Sequence, residues 1–189
     1  MGCLHCRCYT SRGHLHFCGL MQQGAGGCAA LWGREWFQYP WIDRMRGTFI
    51  PVMEFLPIVM AAVIWGKGWT GLTIQCNCDN EVCVINSGTS KDLGLMQLLR
   101  CLFFVEAKFN FQVVARHTPG VENGLADALS RNRLSAFFSS HPQANSQPVH
   151  IPDNLVSGLL SHLLDWTSGS VLFSGSIISP FHSKSLQVR

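Results

Sequence analysis

The chain has 189 residues, 47% of them hydrophobic and 13% charged, with a formal net charge of +3. An average soluble domain carries about 25% charge, so this composition excludes a mainly disordered chain, and the small positive balance alone does not mark a nucleic-acid binder. The most apolar uncharged run, Phe55 to Gly66, has 12 residues, well short of the roughly 20 that a bilayer requires, so no membrane association is expected.

Residues 1–23 show no usable periodicity and read as an unstructured leader. Gly26 to Trp32 reads as a strand of small residues, joined by a tight turn at Gly33 to a second strand over Arg34–Tyr39. From Glu54 to Trp65 the apolar residues at 55, 56, 59, 60 and 63 follow a helical period. Pro57 fits such a helix if it lies in the first turn, which places Glu54 at the amino end. Leu72–Cys78 alternates apolar and polar residues and runs into Asp79-Asn80, a strand that delivers a carboxylate at its carboxyl end. Asn80–Asn86 suggests a short helix. Ser90 is a candidate cap for a longer helix, Lys91–Lys108, with Leu95, Leu98, Leu99, Leu102 and Val105 on one face.

Phe111–Arg116 is a further strand, and Glu122–Asn132 a last amphipathic helix with Leu125 and Leu129 inward. Beyond Arg133 the composition turns to Ser, Pro, Gln, Asn and His, so 135–189 reads as linker and flexible tail with one short helix over 153–166. The order β-β-α-β-α-α-β-α predicts an α/β fold with a mixed sheet flanked by helices over residues 24–134.

Nine cysteines form no clear disulfide framework. Cys3, Cys6, Cys8 and Cys18 are interleaved with His5, His14 and His16, which leaves open a zinc-binding interaction module at the amino terminus, although the spacing matches no standard finger. Cys28, Cys76, Cys78, Cys83 and Cys101 sit among apolar residues, where reduced thiols act as small core side chains. Met1–Cys18 has no apolar core of the secretory kind. The expectation is an intracellular protein, cytoplasmic or nuclear and not secreted.

The acids carry the functional signal. There are 11, and none falls in the first 34 residues. Glu54 begins a helix, Asp79 ends a strand and Asp127 lies early in a later helix. Carboxylates at element ends also occur as ordinary caps. Converging over a sheet edge, they repel one another unless divalent cations neutralise them, and such oxygen ligands suit magnesium.

Three ordered segments sharpen this: Glu54-Phe55-Leu56-Pro57-Ile58-Val59, Cys78-Asp79-Asn80, and Ala115-Arg116-His117-Thr118-Pro119-Gly120-Val121-Glu122-Asn123-Gly124-Leu125-Ala126-Asp127-Ala128-Leu129-Ser130-Arg131. Over about residues 24–134 they resemble the RNase H domain of retrotransposon reverse transcriptases, most closely that of DIRS-type elements. The resemblance implies an RNase H-like, five-stranded mixed sheet flanked by helices, in a piece of a larger polyprotein. It implies magnesium-dependent hydrolysis of the RNA strand of RNA–DNA hybrids at a two-metal site, with Glu54, Asp79 and Asp127 as catalytic metal ligands. His117, ten residues ahead of Asp127, matches the loop histidine that assists proton transfer or product release. Asn123 and Asn80 match positions facing the hybrid. Trp65, Trp69, Arg100, Arg116 and Arg131 are further candidates for nucleic-acid contact, with core tryptophans and solvated arginines as the plainer reading.

The chain departs from the family in the first strand. There an Asp is expected, but Phe17–Ala25 contains no carboxylate, and the two ions would lose the ligand they share. The expectation is that residues 1–23 arise from a shifted reading frame, or a wrong start, upstream of an element's RNase H segment. A catalytically inactive fragment with weak nucleic-acid binding is therefore the competing reading. No Tyr-x-Asp-Asp polymerase motif occurs, and the only tyrosines are Tyr9 and Tyr39, so the reverse transcriptase domain is not encoded in this chain.

Overall fold

A computed structural model describes residues 3–9, 15–23, 27–41, 50–78, 82–117, 125, 128–129 and 131–164. Two compact units divide the chain, Met1–Ile151 and Pro152–Arg189. The first is a mixed α/β unit. Its six strands are β1 (Cys3–Tyr9), β2 (Leu15–Gln23), β3 (Gly27–Trp32), β4 (Glu35–Pro40), β5 (Thr73–Cys78) and β6 (Gln112–His117), arranged in one sheet in the order β4-β3-β2-β1-β5-β6. All neighbours are antiparallel except β5 and β6, which run parallel.

The leader read as unstructured thus supplies two strands, and the sheet has six rather than five. The physical reason lies in β5. A strand in mid-sheet must satisfy backbone groups on both sides, and β1 fills the place between β2 and β5, pairing Cys6 with both Cys18 and Cys76. Neither β1 nor β2 contains proline or an acid, residues depleted from strands, which leaves both segments compatible with the ladder.

β3 and β4 form a hairpin whose two-residue loop has Gly33 at φ 61°, glycine being favoured at the first central position of a II′ turn. Gly27 lies so close to β4 that an added Cβ would strike the Tyr39 carbonyl oxygen. Strand alternation separates two cores. On one face, Ala29, Leu31 and Trp36 join Ala128, Leu129 and Phe137. On the other, Phe37, Trp65, Trp32, Trp69 and Phe111 form a chain of ring contacts with centroids 5.3–6.1 Å apart.

Helix α1 (Ile50–Trp65) continues into a 3-10 turn, Gly66–Trp69. It begins four residues before Glu54, so Pro57 lies in its interior and not in its first turn. Such a proline costs about 3 kcal/mol. Burial on nearly all sides offsets that cost: Val52, Met53, Phe55, Leu56, Ile58, Val59, Met60, Ala61, Ala62 and Trp65 are all buried. The stretch Pro51–Trp69 is apolar and long enough to span a bilayer by composition, yet 78% of that window is buried inside the fold.

Helix α2 (Val82–Ser87) follows β5, and α3 (Leu93–Phe109) lies against α1. The cap of α3 is Asp92, whose Oδ1 accepts the Leu95 N–H at 2.8 Å, while Ser90 Oγ accepts from Asp92 N–H one step upstream. At its other end Asn110, at φ 53°, donates its N–H to the Glu106 carbonyl.

Beyond Arg133 the first unit continues for another 18 residues. Helix α4 (Leu134–Ser140) buries Phe137, and the following chain is tied to β4. The linker and tail expected over 135–189 is therefore part of the sheet unit as far as Ile151. The reason is aromatic: Phe137 and Phe138 stack against Trp36, at centroid distances of 5.6 and 6.0 Å. In the second unit, α5 (Asp153–Leu164) buries Leu155, Val156 and Leu159.

Candidate functional site

The parallel pair β5–β6 fixes the edge at which the expected site residues begin. Cys78, the last residue of β5, is in register with His117, the last of β6. Both strands therefore end at one level, with Asp79 next in sequence. Helix α1 is joined to β5 through Trp69, whose carbonyl accepts the Leu72 N–H at 2.8 Å. Glu54 on α1 is 4% exposed, among buried Val52, Met53, Phe55 and Leu56.

A side-chain tie holds the same edge. The Asn86 amide on α2 donates through Nδ2 to the Ala115 carbonyl at 2.8 Å, and its Oδ1 accepts the Ala115 N–H at 2.9 Å. This two-point bond fixes α2, which follows the Asp79 segment, to β6 two residues before His117. From α3, Glu106 Oε1 accepts the Val113 N–H at 2.5 Å. Burial raises the Glu106 carboxyl above its ordinary range, and this hydrogen bond opposes the rise. Neither residue stood out in the sequence. A short-helix asparagine and a helix-end glutamate give no signal until β6 is placed beside them.

Among the expected site residues, then, the structure describes Glu54 fully and His117 at the level of its strand position. Asp79, Asn80, Asn123 and Asp127 lie outside the described residues. So do the side chains of Arg116 and of the amino-terminal cysteines and histidines. Among the described residues, no group of three His, Cys, Asp or Glu side chains could hold a metal ion. Trp65 and Trp69 are core residues, whereas Arg100 and Arg131 are exposed.

Among the described residues the free thiols, Cys28 and Cys101, are poor nucleophiles. Burial pushes the Cys28 thiol far above its ordinary value and also raises Cys101, and a thiol is reactive only as its thiolate. Cys76 is disulfide-bonded, not the reduced core thiol that its apolar neighbours suggest.

No family model, no curated protein and no solved structure matches the chain.

Proposed function

We propose that the first unit is an RNase H-like domain of retrotransposon origin whose family reaction is hydrolysis of the RNA strand of RNA–DNA hybrids. Two observations support this reading: Glu54 is buried on α1, and the parallel strands β5 and β6 end in register, one running into Asp79 and the other closing on His117.

The donor set suits a hard cation, since Glu54, Asp79 and Asp127 offer only carboxylate oxygens. Magnesium bound there would supply an activated water and charge stabilisation at the leaving oxygen. The remaining chemistry belongs to the chain. His117 exchanges a proton near the leaving group, and Asn80 and Asn123 hold the hybrid backbone.

A second reading has its own support. Neither β1 nor β2 contains a carboxylate, so the set has three acids where the family has four. An inactive remnant that binds nucleic acid weakly is the result. The discriminating experiment incubates the full chain with a hybrid carrying a labelled RNA strand, with magnesium. Slow cleavage that vanishes in Asp79→Asn and Glu54→Gln supports the hydrolase. Hybrid binding without cleavage supports the remnant. Stoichiometric zinc in the purified protein would instead favour an amino-terminal zinc module.

A further inference from the structure

The outer face of α3 carries three of the chain's large apolar side chains in solvent: Leu93, Phe103 and Phe104, at 55%, 42% and 49% exposure. Helical geometry aligns them with Arg100, which lies four residues before Phe104, and Lys108 lies four residues after it. Arg100 and Lys108 are exposed, as is Lys91 just ahead of the helix. The acids of this segment are otherwise engaged, Asp92 at the cap and Glu106 on the Val113 N–H. The exposed charge of this face is therefore entirely cationic. Among the described residues Arg100 makes no ion pair, and Lys108 Nζ rests 5.3 Å from the Phe109 ring centroid.

Three occupants compete for such a face. A second copy is disfavoured, because a two-fold antiparallel pairing of α3 about its middle would set Arg100 against Arg100 of the other copy. A folded protein partner is disfavoured by size: the exposed apolar area is roughly 300 Å², against about 800 Å² per partner in a stable interface. Single-stranded nucleic acid needs neither a groove nor a large area. Bases stack on isolated aromatic rings, and phosphates pair with flanking cations. Arg100 and Lys108 are separated by roughly 12 Å along the helix with the Phe104 ring between them, a spacing that accommodates a stacked base between two phosphate contacts.

We propose that this face of α3 binds single-stranded nucleic acid, with Phe103 and Phe104 as the stacking platform and Lys91, Arg100 and Lys108 as the phosphate contacts. The proposal is independent of the hydrolytic reading, since it involves no metal and none of the site carboxylates.

The test is fluorescence anisotropy of a short labelled oligothymidylate with the full chain, at low salt and with EDTA present. The paired variant Phe103→Ala/Phe104→Ala weakens binding about tenfold or more and leaves the salt dependence unchanged. The pair Arg100→Gln/Lys108→Gln weakens binding and lowers the slope of log K against log salt by about 1.4, the value for two phosphate contacts on a single strand. All four positions are solvent-exposed, so thermal melting serves as the control for intact folding. Absence of wild-type binding overturns the proposal, as does wild-type affinity in the phenylalanine pair. Equal competition by an unlabelled polyglutamate peptide also overturns it and assigns the face to an acidic protein segment. Loss of hybrid cleavage in Asp79→Asn with oligothymidylate binding intact separates this surface from the catalytic edge.

Discussion

The two edges of the sheet are closed by different means. At β4 the closing group is main chain: Asn145 N–H donates to the Arg34 carbonyl at 2.8 Å and Val149 N–H to the Trp36 carbonyl at 2.7 Å. Side chains of the hairpin reinforce it. Arg34 Nε donates to the Gln143 carbonyl, Trp36 Nε1 to the Asn145 carbonyl, and His141 Nε2 bonds the Gly33 carbonyl. At β6 the closing groups are the side chains of Asn86 and Glu106, bonded to Ala115 and Val113. An uncovered edge strand is a template for another chain. The β4 edge is protected by a segment 109 residues away in sequence. The β6 edge is protected by residues 29 and 7 positions away. The first therefore depends on the packing that holds a distant segment in place, and the second on two functional groups.

Breaking the β4 closure is expected to have the larger effect. Trp36 is buried, stacked on Phe137 and Phe138, and bonded through its indole N–H to Asn145. Trp36→Ala should cost about 3–5 kcal/mol in a urea melt and raise amide exchange at Asn145 and Val149. Trp36→Phe keeps much of the ring packing and loses the hydrogen bond. A loss of about 1 kcal/mol in that variant assigns the edge mainly to packing. Equal losses in the two variants would assign it to the bond.

The β6 closure is expected to break at lower cost but with a different symptom. Asn86→Ala removes a donor and an acceptor together and leaves both backbone groups of Ala115, a buried residue, without their partners. The expected loss is about 1–3 kcal/mol. The exposed edge should also bring concentration-dependent self-association, read by light scattering. Asn86→Asp retains the acceptor for Ala115 N–H and should lie between wild type and Asn86→Ala on both measures. A monomeric Asn86→Ala would show that α2 covers the edge by bulk alone.

The same contrast explains which parts of the molecule were legible in the sequence. β5 announces itself by apolar alternation and β3, β4 and β6 by short apolar runs bounded by turn residues, and the structure places each within a residue or two of the expected span. Helix α3 follows from its buried stripe, although its cap is Asp92 in place of Ser90. The missed elements are those whose signal depends on a distant partner. α4 and the segment to Val149 have the Ser-, Pro- and Asn-rich composition of a tail, and they become structure through the Trp36 ring and the bonds to Gly33, Arg34 and Trp36 of the distant hairpin. In β1, Leu4, Cys6 and Cys8 alternate with His5 and Arg7, but so Cys- and His-rich a stretch does not point to a strand, and its place is the gap between β2 and β5. Glu54 lies one turn further into its helix than the sequence suggests, since Pro57 reads as a first-turn residue unless the burial of all of α1 is known.

The smallest predicted effect tests the chemistry of the β6 closure through pH. Burial raises the Glu106 carboxyl above its ordinary value while the Val113 N–H bond partly restores it. A folded-state carboxyl raised above its unfolded value binds its proton more tightly in the native protein. Its contribution to stability is therefore most favourable at low pH, declines as pH rises from the ordinary carboxylate range through the raised folded value, and is constant above that. Glu106→Gln keeps an acceptor oxygen for the Val113 N–H and removes the titration. The stability of the glutamine variant relative to wild type should accordingly increase across that window and then level off above it. The difference between the two proteins isolates this group from the other acids, whose protonation affects both alike. Because Glu106 is only half-buried, solvent screens the effect, and it should be smaller than that of Asn86→Ala. A flat difference across the window would mean that the Val113 hydrogen bond fully offsets the burial. A difference that decreased would mean the bond dominates, making Glu106 a charged edge cap in place of a half-desolvated one.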